Sequence, residues 1–340
     1  MNKSLLGLFL VSVLWVGLLV AVDSIQRKDD VDPSPELWNE TLVTRSNQRI
    51  SVTDEAYIYQ DRVLKRSQNP LEAVEEVSRK IQALSTLLGE DVTLHGMIVP
   101  SASALDPMTQ TENTAELEAI RQIATSVQNT MFWDITSILK EYKDKRLFYF
   151  TDEWWTSIAA YHVSLPVIET LGFVPQPLET FNVHHELNVK GTHRLLNADL
   201  ASDPFYVYLW KHFNPEIEVS IIQPGKEDKT YQTLLYAKSR KGFDALVEGY
   251  YRYATITGKG EGSILLIGDT NAKFIVQWLI PYYETIYLSN MSFDDRSAMD
   301  LRTLIDDNQI ENVLLIGSFE HLRQKAFTQS LDRWLEQEQE

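Results

Sequence analysis

Apolar residues recur along this chain in two rhythms, and the order of the rhythms predicts an architecture. After Asn69-Pro70-Leu71, the residues Val74, Val77, Ile81, Leu84 and Leu88 stand three and four apart and Gly89 follows, which marks an amphipathic helix with a glycine stop. The same spacing through Leu117, Ile120, Ile123 and Val127 predicts a helix over 114–130. Short apolar runs at 92–100, 147–150, 264–267, 285–288 and 313–316 read as buried strands. Residues 56–59 read as a further short strand, and 132–135 as a strand or tight turn leading into a helix through Leu139. Helices over 156–171, ended by Gly172 with Pro175 beyond, over 274–283 and near 299–306 complete the alternation. Strand–helix–strand succession implies a mostly parallel sheet covered on both faces, a three-layer α/β/α domain. Between 181 and 258 the pattern is irregular. There 205–208 and 219–222 read as strands or as parts of an inserted lobe.

The amino terminus follows a different rule. From Leu5 to Val22 the chain is apolar, interrupted only by Gly7, Ser12 and Gly17, and Lys3 precedes the run. That length spans a bilayer core and exceeds the hydrophobic region of most signal peptides, and a small-x-small cleavage site is poor. Residues 1–24 are therefore expected to be an uncleaved signal anchor, a single transmembrane helix with the rest of the chain extracytoplasmic. The polar stretch 25–68 is expected to be a linker or stalk, and 69–330 the α/β domain with its insertion around 181–258. Residues 331–340, where glutamate alternates with glutamine, read as an acidic, frayed tail.

Composition narrows the chemistry. With 44% hydrophobic and 23% charged residues in 340, the chain is of globular type. A net charge of -17 argues against nucleic acid and against adhesion to anionic membrane surfaces. The absence of cysteine excludes disulfides, thiol nucleophiles and thiolate metal sites. His184-His185-Glu186, with His193, has metal-ligand residue types, but adjacent histidines on an extended segment point to opposite faces. No metal and no cofactor are assigned.

Two runs end in polar turn-formers and lead into helices. One is Arg146-Leu147-Phe148-Tyr149-Phe150-Thr151-Asp152-Glu153-Trp154-Trp155-Thr156, and the other is Leu265-Leu266-Ile267-Gly268-Asp269-Thr270. Elbows of this kind at the carboxyl ends of an α/β sheet are where such folds hold their chemistry. The first, with Ala159-Ala160-Tyr161 after it, resembles the Thr-Asp-His-His-Trp-Thr signature of the DHHW family. The second, Gly268-Asp269-Thr270-Asn271, resembles the Gly-Asp-Ser elbow of the related SGNH hydrolases. Gly96-Met97-Ile98-Val99-Pro100, Lys190-Gly191-Thr192 and the run 274–287 resemble further family segments in the same order, so the likeness covers about 75–318.

The resemblance implies an SGNH-like domain related to alginate O-acetylation proteins, which use a serine nucleophile with an aspartate–histidine pair. Carried over residue by residue, Asp152 stands at the orienting carboxylate and Thr270 at the nucleophile. The base position is Trp154, whose indole accepts no proton. Leu246-Val247-Glu248-Gly249-Tyr250 stands where the family has Gly-Gly-Asn, which puts Tyr250 at the oxyanion asparagine. The expectation is a degenerate, non-catalytic envelope protein that binds or scaffolds in polysaccharide assembly or acylation. Its alternative is an O-acetyltransferase or carbohydrate esterase using Thr270. Catalytic candidates are Asp152 and Thr270, and cleft candidates are Trp154, Trp155, Gly249, Tyr250, Asp269 and Asn271. Trp154 and Trp155 with Tyr161, Tyr250 and Tyr251 read either as an aromatic floor for sugar rings or as core. Asp152, with Thr151, and Asp269 also read as plain helix caps, and His162, two turns beyond the base position, as a packed or surface residue.

Overall fold

The computed structural model of the chain describes residues 45–211, 216–222, 229–234, 242–247, 253–291 and 300–337. The expected signal anchor at 1–24 lies outside the described residues. No helix among the described residues is long and apolar enough to cross a membrane.

Residues after 45 begin folded. Strands β1 (Arg49–Val52), β2 (Ala56–Tyr59) and β3 (Val63–Lys65) form a three-stranded antiparallel sheet. Tyr57, Tyr59, Val63 and Leu64 are buried, and the fully buried Arg62 donates to Asp106 at 2.9 Å. The described part of the expected stalk is thus a packed sheet, because its alternating apolar residues find a core and its arginine finds a carboxylate.

The central sheet contains β4 (Thr93–Val99), β5 (Thr130–Phe132), β8 (Glu216–Ile222), β9 (Lys229–Leu234), β10 (Tyr253–Thr257), β11 (Ser263–Gly268), β12 (Thr285–Asn290) and β13 (Asn312–Ser318). Their order across the sheet is β5-β4-β13-β11-β12-β10-β8-β9. The first five run parallel and the last three extend the sheet antiparallel. Strands that the irregular middle supplies therefore prolong the main sheet, while β6 (Phe181–Val189) and β7 (Asp203–Trp210) pair with each other.

Alternation along the central strands builds the layers. Leu265, Ile267, Val313 and Leu315 face one side, where they pack with α1 (Val74–Leu88), α3 (Thr114–Ser126), α7 (Leu301–Asp307) and α9 (Lys325–Gln337). Ile264, Leu266, Leu314 and Ile316 face the other, with α5 (Ser157–Thr170), α6 (Thr270–Leu279) and the β6–β7 pair. Short helices α2 (Ala102–Leu105), α4 (Ile135–Glu141) and α8 (Phe319–Leu322) follow β4, β5 and β13. The three-layer expectation holds.

Three local expectations shift. The helix over 114–130 stops at Ser126, and Asn129, at φ 55°, turns the chain so that 130–132 become the sheet's edge strand. Residues 331–337 are not a tail: they belong to α9, which buries Leu331 and Trp334 and pairs Asp332 with Lys80 of α1. Residues 147–150 make no strand of the sheet. Phe148 forms a single bridge to Trp155, and the neighbouring backbone groups bond across the loop, Tyr149 N–H to Trp154 at 3.1 Å and Thr156 N–H to Leu147 at 2.9 Å. With those partners satisfied locally, the run has little left to offer a sheet.

Candidate functional site

The elbow after β11 is the tighter of the two. A Cβ on Gly268 would stand 1.7 Å from the Ile316 carbonyl oxygen, so glycine is required where β11 and β13 close together. Asp269 then caps α6, accepting the Asn271 N–H at 2.8 Å through Oδ1. Its Oδ2 accepts both the N–H and the hydroxyl of Ser318 at 2.9 Å, which ties the end of β11 to the end of β13. The helix begins at Thr270, four residues before the predicted start, because this cap is available.

The loop of the first elbow is held by a residue that the sequence did not flag. Asp203 at the start of β7, 1% exposed, accepts from Thr151 N–H and Oγ1 at 2.7 Å, from Phe150 N–H at 3.2 Å and from Arg146 at 2.8 Å. From the other side, Gly191 N–H bonds the Thr151 hydroxyl and His193 N–H the Thr151 carbonyl. Asp152 accepts from Glu153 N–H and Thr192 N–H, each at 2.9 Å, and burial raises its pKa against the pull of those two bonds. It does not cap the following helix. Thr156 does, four residues on, accepting from Ala159.

The two elbows meet through Trp155 and Asn271. The Trp155 N–H donates to Asn271 Oδ1 and its indole N–H to the Asn271 carbonyl, both at 3.1 Å. Trp155 and Asn271 are fully buried, so Trp155 is core and not part of an aromatic floor. Trp154 is half-buried against the same core, and Tyr161 packs on Trp278. Gly249, Tyr250 and Tyr251 lie outside the described residues.

This arrangement decides the comparison. The fold is the one a DHHW family protein adopts. A DHHW family protein from Eubacterium siraeum DSM 15702 matches with a TM-score of 0.68 and 15% identity over 82% of this chain and 97% of that one. Bacillus cereus PatB1, in its structure with a sulfonyl adduct, matches with a TM-score of 0.64 and 16% identity over 82% of this chain and 98% of that one. At these identities the likeness is one of fold. No protein-family model and no curated protein matches the sequence.

Within the DHHW-type fold, the expected nucleophile is buried and three buried imidazoles have their pKa pushed down. Thr270 is 3% exposed. His162 is buried with its ring stacked 3.5 Å from Tyr142, and burial with the nearby Lys145 pushes its pKa down to about 4. His193, buried beside the Asp152–Glu153 loop, is pushed to about 4 by burial and Lys65. His321, one turn past Ser318, is lowered by burial against the opposing charges of Asp269 and Glu153. Neither ring nitrogen of His162 or His193, nor Nε2 of His321, makes a hydrogen bond of normal geometry. Ser318 and His321 had a readable signal, a third apolar run ending in a hydroxyl. Asp203 had none.

Proposed function

We propose that the elbow of this DHHW-type domain performs no acyl transfer, and that the protein binds or scaffolds in the assembly or acylation of a cell-surface polysaccharide. In this reading residues 1–24 hold it to the membrane and the domain works outside the cell. One observation carries the reading: Asp152 gives its carboxylate oxygens to backbone amides and the base position is Trp154, while Thr270 is 3% exposed. A hydroxyl needs a positioned base to act as a nucleophile, and general-base assistance is worth about 10²–10⁴-fold. The base position holds an indole, and burial leaves a carbonyl carbon no access to Thr270.

The test is turnover of p-nitrophenyl acetate by the full chain against Thr270→Ala. Equal rates for the two proteins are expected. Turnover that disappears in Thr270→Ala would establish the rival reading, an esterase or O-acetyltransferase.

A further inference from the structure

The carboxyl end of β4, two strands from β11, holds a hydroxyl and a carboxylate that the binding role leaves unused. Pro100 ends the strand and Ser101 caps the short helix α2, accepting from Ala104 N–H at 3.3 Å. Glu116, in the first turn of α3, reaches back to it. Its Oε1 accepts the Ser101 N–H at 2.6 Å and its Oε2 lies 2.6 Å from Ser101 Oγ. Ser103 Oγ stands 2.9 Å from Ser101 Oγ on the other side. Glu116 is fully buried, whereas Ser101 is half-buried at the crest where parallel sheets keep their reactive groups.

We propose that Ser101 and Glu116 form a nucleophile–base pair acting on carboxylic esters. Glu116 Oε2 takes the proton of Ser101 Oγ as the Oγ–carbon bond forms at the ester carbonyl. The carbon–oxygen bond to the alcohol breaks, and the departing alkoxide takes that proton from Glu116. Water then attacks the acyl-Ser101, its proton passing to Glu116 and on to Ser101 Oγ as the acid leaves. Ester and water enter, acid and alcohol leave, and Ser101 and Glu116 return unchanged. The carboxylate suits the role: burial pushes it up to about 7, against the bonds from Ser101, with Glu320 adding to the rise and Arg323 opposing it. A base of that strength is half-ionised at neutral pH.

A capping role alone would leave Ser101 inert, so the experiment reads covalent reactivity. The full chain is treated with phenylmethylsulfonyl fluoride and the adduct is located by peptide mass spectrometry. We expect the sulfonyl group on Ser101, with a labelling rate that rises between pH 6 and 8. Ser101→Ala should abolish labelling and Glu116→Gln should slow it by about 10²-fold. If Glu116→Gln fails to fold, the pH profile of the unmodified chain decides, and a flat profile overturns the base role. Labelling of neither Ser101 nor Thr270 overturns this proposal alone. Labelling confined to Thr270 overturns both it and the inactive reading of the elbow.

Discussion

Glu116 also makes a thermodynamic prediction that its reactivity does not decide. Its carboxyl is pushed from 4.5 to about 7 in the folded chain by burial. Below pH 4.5 both folded and unfolded chains carry the proton and the shift costs nothing. As pH rises, the unfolded chain ionises first, so stability is lost progressively and the loss is complete above 7. A shift of that size corresponds to about 3 kcal/mol. The Glu116→Gln substitution keeps the shape, with the amide oxygen accepting the Ser101 N–H and the amide nitrogen donating to Ser101 Oγ, and the new side chain never ionises. Urea unfolding of the full chain and of Glu116→Gln, followed by tryptophan fluorescence between pH 4 and 8.5, isolates the effect because other titrating groups are common to both. The stability difference should move in favour of the variant by about 3 kcal/mol across that range. Glu320 adds to the rise of the Glu116 pKa and Arg323 opposes it, so the two bear on the size of the change in opposite directions. Two curves that stay parallel from pH 4 to 8.5 would refute a buried Glu116 with a raised pKa.

Other outcomes follow from single contacts. Asp203→Ala strips partners from Thr151, Phe150 and Arg146 at once and should cost about 3–5 kcal/mol in urea unfolding. Gly268→Ala places a methyl where the Ile316 carbonyl stands and should cost about 3 kcal/mol, the upper end for overpacking, or prevent soluble expression. His162 titrates from 6.5 unfolded to about 4 folded, so its stabilising effect is lost as pH falls through that window. His162→Phe, which keeps the ring against Tyr142, should make the acid limb of the stability curve measured by thermal unfolding shallower, with His193 and His321 sustaining the rest. Thr270→Ser should add no ester turnover to that of the unmodified chain in the p-nitrophenyl acetate assay, since the side chain remains buried.

What was legible in the sequence was periodic. The strands at 93–99, 263–268, 285–290 and 312–318 announce themselves as apolar runs, and the helix of Val74–Leu88 carries both its Asn-Pro opening and its Gly89 stop. The first elbow misled because Leu147-Phe148-Tyr149-Phe150 has a strand's composition. Strand pairing, however, depends on where backbone groups find partners, and here they find them in the same loop and on Asp203. The antiparallel extension was legible only at 219–222, within β8, for a related reason. Its strands are half polar, so they show little of the continuous apolar signal of the parallel core. At the site, residue types spoke for Asp152, Trp154 and Thr270, but the joints Asp203 and Ser318 are visible only in three dimensions.

Under the proposed inactive reading, those joints explain how this fold stands without acyl-transfer chemistry at its elbow. Asp269 closes β11 onto β13 and caps α6, Asn271 receives both N–H groups of Trp155, and Asp203 pins the Thr151–Asp152 loop. Each is a buried polar group whose removal would orphan several others, at about 1–3 kcal/mol apiece. A nucleophile and a base hold no such position, because their partners are the substrate and each other. Threonine and tryptophan at 270 and 154 therefore leave the joints intact: one adds a methyl inside a packed elbow, and the other packs an indole against the core. The carboxylates at 152, 203 and 269 accept backbone amides, and those at 203 and 269 accept a hydroxyl as well. Glu116 at the neighbouring strand end accepts both the N–H and the hydroxyl of the half-buried Ser101, and burial pushes its carboxyl up to about 7.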